Sequence, residues 1–123
     1  IFWILVSGQL GLHINAIRRF IDEYPEVKAN HLTTYDLNEE IIKPNTLKTE
    51  QPFIQRYIGI SDTQTGIPYT SSATVFVSHA WMYEFYDVVV TVMEQYASRD
   101  PDAYFWFDLF TNDQQKVAKK DVS

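Results

Sequence analysis

Residues 83–97 form the most constraining pattern in this sequence. Phe85, Val88, Val89, Val92, Met93 and Tyr96 recur at helical spacing, with Glu84, Asp87, Thr91, Glu94 and Ser98 on the complementary side. This predicts an amphipathic helix. Ahead of it stands Thr74-Val75-Phe76-Val77, a β-branched apolar run of strand type; behind it, past the turn Arg99-Asp100-Pro101-Asp102, stands Tyr104-Phe105-Trp106-Phe107. Strand, helix and strand within ~30 residues make a βαβ crossover. The expectation is an α/β fold in which strands 74–77 and 104–108 are parallel neighbours and helix 83–97 crosses between them.

The first 58 residues read as a helical lead-in. Leu10, Ile14, Ile17, Phe20 or Ile21, and Tyr24 fall on one helix face and Arg18, Arg19, Asp22 and Glu23 on the other, with Pro25 as the stop. A second helix starts after Thr33 or Thr34, either of which can cap it, and stops at Lys43-Pro44, since the residue before proline is pushed out of the α region. A short third helix follows Gln51-Pro52 and turns Phe53, Ile54 and Tyr57 inward. Residues 59–72, with Gly59, Ser61, Asp62, Gly66, Pro68 and Ser71, read as a loop and as the main boundary. Residues 73–123 carry the α/β portion.

A chain of 123 residues suits one compact domain. It opens on Ile1 and closes on a polar tail, so both ends read as cuts. The run Ile1–Val6 is far short of the roughly 20 apolar residues of a membrane span and lacks the basic start of a signal peptide. A buried strand or helix end is the favoured reading, with a longer apolar segment left open. The net charge of −6 argues against nucleic acid as partner, and Lys116, Lys119 and Lys120 read as a solvated cluster. With no cysteine there is neither a disulfide frame nor a thiolate zinc site, which fits a cytoplasmic setting. Phe 8, Tyr 8 and Trp 3 imply a tightly packed core or a surface with partners.

In an open α/β sheet, ligands sit beyond the carboxyl ends of the strands. Those ends deliver Ser78, His79 and Trp81 after the first strand, and Asp108, Thr111, Asn112 and Asp113 after the second. Ser78, His79, Trp81, Asp108 and Asn112 are the candidate ligand-binding residues. Each of the main ones has a plainer alternative. Ser78 would cap the following helix, His79 would be structural, Trp81 would pack on the helix start, and Asp108 would cap the turn after its strand. No Gly-x-Ser-x-Gly elbow surrounds Ser78, because Phe76 and Ala80 hold the glycine positions. No P-loop or dinucleotide fingerprint is present, and His13, His31 and His79 are too scattered in sequence to suggest a metal site. No catalytic residue and no metal ligand is assigned.

Residues 73–81, Ala-Thr-Val-Phe-Val-Ser-His-Ala-Trp, followed by the amphipathic helix, then Phe105-Trp106-Phe107-Asp108 and Asn112-Asp113-Gln114, resemble the "SHAW" branch of TIR-like domains. Leu32-Thr33-Thr34 and Ile42-Lys43-Pro44-Asn45-Thr46 are similar to the lead-in that precedes SHAW segments. The resemblance implies the first βαβ unit of a flavodoxin-like parallel sheet and a signalling or protein-interaction module that self-associates or binds a protein partner. It also implies a nucleotide ligand, since some TIR domains cleave NAD with a glutamate on a helix after the third strand. SHAW relatives carry a Trp-Cys-x-x-Glu motif there. This chain has no such motif, so NAD enters as a substrate of the complete domain, whose glutamate would lie after Ser123. A structural scaffold domain is the third reading.

Overall fold

The computed structural model describes residues 2–4 and 8–116. Leu5 and Val6 of the opening run, and Lys119 and Lys120 of the basic cluster, lie outside them. The fold is mixed α/β. Five strands form one sheet: β1 (Phe2–Ile4), β2 (Leu10–His13), β3 (Thr70–Ser72), β4 (Val75–Val77) and β5 (Tyr104–Phe107), in the order β1-β4-β5-β2-β3. β4 and β5 are parallel neighbours, with Val75, Phe76 and Val77 opposite Phe105, Trp106 and Phe107. That is the pairing the crossover pattern demands. The other pairings, β1 with β4, β2 with β5 and β2 with β3, are antiparallel. The sheet is therefore mixed rather than wholly parallel, and β2 of the lead-in is one of its inner strands.

Two elements depart from the periodicity. Leu10–His13 is strand β2, and helix α1 begins only at Ile14 and runs to Glu23. His13 sets this start. Its Nδ1 accepts the backbone N–H of Asn15 at 3.1 Å, while Nε2 pairs with the carbonyl of Pro101 at 2.9 Å. A ring that accepts at Nδ1 must donate at Nε2 to a carbonyl, so the buried imidazole is fully used. Thr70–Ser72 of the expected loop is strand β3, an edge strand on β2.

After the short helix α2 (Glu26–Ala29), Thr33 caps helix α3 (Thr34–Leu37) through a reciprocal box with Asp36. The expected stop at Lys43-Pro44 does not occur. A π-helical turn, Asn38–Ile42, leads straight into α4 (Lys43–Thr46). Proline lacks an N–H and crowds the carbonyl four residues back. In the π turn the Lys43 N–H already reaches back five residues to Asn38 O, so the ladder has shifted before Pro44 arrives. Asn45 and Thr46 side chains then donate to the carbonyls of Ile41 and Ile42 at 2.7 and 2.8 Å.

The crossover helix behaves in the same way. A π-helical segment, Phe85–Val90, continues as α5 (Thr91–Arg99). The wider π turn rotates the buried stripe onto Phe85, Val89, Val90, Met93 and Ala97, and leaves Val88 exposed. Leu12, Val75, Val77, Phe105 and Phe107 turn one sheet face into the core, whereas Phe76 and Trp106 stack on each other and are only half-buried. Strand 104–107 is thus core at alternate positions. A 3-10 turn (Phe53–Tyr57) and helix α6 (Asp108–Thr111) close the core, with Phe53, Ile54 and Tyr57 inward as expected.

Gly11 in β2 sits close against the backbone of Tyr104 in β5 and of Ala73. A Cβ there would meet the Tyr104 carbonyl carbon at 2.9 Å and the Ala73 Cα at 3.0 Å. Both are backbone atoms that move only by shifting strands. Gly11→Ala is expected to destabilise the fold by about 1–3 kcal/mol, read as a lowered midpoint in urea unfolding.

Candidate functional site

Because β4 and β5 are parallel neighbours, the residues after them emerge at the same end of the sheet. His79, two residues past β4, points its Nε2 at Asp108 Oδ1, 2.9 Å away. Asp108 opens α6 directly after β5. The imidazole is 4% exposed and the carboxylate 35% exposed. In the neutral ring, donation from Nε2 leaves Nδ1 as a bare acceptor, and Nδ1 is buried with no hydrogen-bond partner. The ring packs on Phe107, with centroids 4.5 Å apart, and meets Trp81 nearly at right angles, with centroids 5.1 Å apart. The burial runs in one direction: His79 lies behind and Asp108 meets solvent. His79 therefore positions the carboxylate, and Asp108 is the group of the pair that can meet a ligand.

Behind Asp108 runs a buried polar line that the sequence did not signal. The Asp108 backbone carbonyl accepts from Gln114 Nε2 at 3.0 Å, and Gln114 Oε1 accepts from Asn38 Nδ2 at 3.4 Å. Asn38 opens the π turn of the lead-in, and both side chains are buried. Gln115 adds a bond to the carbonyl of Lys43, at 2.9 Å. These amides pin the segment after α6 to the π turn. Only the tertiary contact distinguishes them from surface amides.

An aromatic strap adjoins the pair through Trp81. The Tyr35 N–H donates to the carbonyl of Trp81, and that of Thr34 to the carbonyl of Tyr83, each at 2.9 Å. The start of α3 is thereby laced to residues 81–83. Tyr35, Trp81, Met82 and Tyr83 are 52%, 39%, 77% and 42% exposed. Next along the strap, Glu84 Oε1 lies 2.6 Å and Asp87 Oδ2 3.4 Å from His31 Nδ1. The two carboxylates hold the His31 imidazole above its usual range, Glu84 most strongly.

Of the predicted residues, His79, Trp81 and Asp108 come together. Asn112 ends α6, exposed, with its backbone N–H on the Asp108 carbonyl at 2.9 Å. Ser78 is half-buried at the end of β4. It does not cap the crossover helix, because that helix starts at Phe85 with Glu84 as its first flanking residue and no side-chain cap. Nor does Asp108 serve as a side-chain cap, since it lies inside α6. Among the described residues no helix is long and apolar enough to cross a membrane. No protein-family model matches the chain, and no curated protein or solved structure matches it significantly.

Because Asp108 Oδ1 accepts from His79 Nε2, an oxygen at that place matters more than its charge. Asp108→Ala is expected to cost about 1–3 kcal/mol through the stranded Nε2–H, and Asp108→Asn clearly less, by urea denaturation of both variants beside the wild type.

Proposed function

We propose that this chain is a TIR-like protein-interaction module that associates, in the first instance with a second copy of itself, through Tyr35, Trp81, Met82 and Tyr83. The observation that carries the reading is that four large apolar side chains stand exposed on two segments laced together by backbone hydrogen bonds. Tyr, Trp and Met are the residue types enriched at interface cores, and aromatic anchors supply most of the binding energy there. Backbone lacing means that the strap loses little freedom on docking. The resemblance of the Ser78-His79-Ala80-Trp81 segment to the SHAW branch supports the same reading, since TIR-like domains self-associate in signalling. Under it, the parallel pair β4 and β5 is the opening unit of a flavodoxin-like sheet.

Charge sets a distinctive condition on such a contact. The chain carries −6, and Asp36, Glu84 and Asp87 adjoin the patch in sequence. Two copies meeting there bring like charges together, so screening should strengthen the association. Sedimentation over a concentration series should show a monomer–dimer equilibrium that shifts toward dimer in high salt and is lost in Met82→Lys. A monomer at every concentration and salt would end this reading.

A second reading, a nucleotide ligand with NAD as the candidate, is favoured by one observation. The half-exposed Asp108 carboxylate, steadied by buried His79, stands at the strand ends where such ligands bind. Breaking the nicotinamide bond builds positive charge on the ribose, which a nearby carboxylate stabilises. The resemblance assigns that task to a glutamate that no residue of this chain matches, which leaves Asp108 to hold a ribose hydroxyl. The expected result is saturable NAD binding, weakened in Asp108→Ala, without nicotinamide release. Release by the pure chain, abolished in Asp108→Asn, would make Asp108 catalytic.

A further inference from the structure

We propose that His31, Glu84 and Asp87 form a binding site for one divalent cation of the zinc type. The three residues come from two segments 53 positions apart in sequence. One ligand atom from each, a ring nitrogen and two carboxylate oxygens, lies within 4.8 Å of the others. Imidazole and carboxylate are the donor types zinc takes when no thiolate is present, and three protein ligands with an open position for water is a familiar zinc arrangement. With metal–ligand bonds of about 2.0–2.1 Å, ligand atoms around a tetrahedral ion stand about 3.3–3.4 Å apart. His31 Nδ1 and Asp87 Oδ2 are already 3.4 Å apart, and His31 Nδ1 and Glu84 Oε1 need to open from 2.6 Å. The His31 side chain is 70% exposed and Glu84 26%, so the imidazole is the partner with room to move and water can reach the remaining positions.

The surrounding charge also favours a cation. Among the described residues neither carboxylate is paired with a lysine or arginine, and Lys28, the nearby base of α2, lies over the Tyr86 ring instead. Two facing carboxylates thus depend on one imidazole for compensation, and a divalent ion supplies more. The backbone fixes where the ligands sit. Thr33 and Glu84 form an antiparallel bridge, and the Phe85 N–H donates to the Leu32 carbonyl at 2.9 Å. A bound ion would clamp the α2–α3 turn to the start of the crossover helix, beside the aromatic strap but outside the Asp108 site.

The test is calorimetric titration of chelator-stripped protein with Zn2+, run beside thermal melting with and without the ion. One equivalent should bind and raise the melting temperature. Both effects should vanish in His31→Ala, and affinity should fall in Asp87→Asn by at least the ~10–100-fold that loss of an outer-sphere partner costs. His31→Lys supplies a permanent cation to the same carboxylates, so it should melt like the stripped wild type and ignore zinc. The other histidines do not confuse the result: both ring nitrogens of His13 are hydrogen-bonded, and His79 is buried. Absence of saturable binding to the wild type, or one-equivalent binding that persists in His31→Ala, would overturn the proposal and leave an ordinary ion pair.

Discussion

The fold hangs on a knot of phenylalanines. Phe20 of α1 lies with its ring centroid 5.4 Å from Phe53, 5.2 Å from Phe110 and 6.2 Å from Phe85. Phe107 of β5 completes the knot, 6.0 Å from Phe85 and 5.6 Å from Phe110. All five are essentially without solvent exposure. Most pairs meet edge to face, the arrangement that adds about 0.5–1.5 kcal/mol per pair beyond burial. Each ring comes from a different element, so the lead-in, the crossover helix, the sheet and α6 share one core. The lead-in is not an appendage to the βαβ unit. It supplies two of the five rings and, through β2, an inner strand.

That shared core sets the rest of the architecture. Phe85 must point into the knot while Glu84 and the strap before it face outward, and the π-helical start of the crossover helix reconciles the two demands by turning the apolar stripe further round. A second π turn, at residues 38–42, aims Asn38 inward at Gln114 and lets the helix run past Pro44. Both departures from regular helix flank the edge where His79 and Asp108 meet, in keeping with the tendency of π turns to lie near functional sites. The core positions the candidate site twice over, through Phe107 against His79 and through the amide line behind Asp108.

Much of that site was legible because it follows from topology. Two apolar strands joined by one crossover helix commonly lie side by side and deliver their next residues to a common end of the sheet, which groups His79, Trp81 and Asp108 in the sequence. Asn38 and Gln114 could not, since an amide carries no mark of burial until its neighbours are known. His31 carries no metal-site signal in the sequence, because the three histidines are scattered along the chain. Its partners are carboxylates rather than histidines, and they lie beyond any local spacing rule. Ser78, a ligand candidate whose plainer role would be a helix cap, lies too far from the helix for that role, because residues 79–84 intervene before Phe85.

Local period and the obligation to bury apolar residues made several elements readable in the chain: the strand character around 75–77 and 104–107, the crossover helix, a threonine cap at 33 or 34, and the inward Phe53, Ile54 and Tyr57. Tertiary structure decided the rest. Leu10–His13 satisfies a helical period and a strand equally well in so short a stretch. Only the open edge of β5, where Leu12 lies opposite Phe105, and the double hydrogen bonding of His13 make it a strand that ends where α1 begins. Antiparallel additions at either side of a parallel pair, the rotation of the buried stripe and the meeting of His31 with Glu84 all arise in the same way. Each is chosen by a partner far along the chain, and a pattern read over a few residues holds no information about that partner.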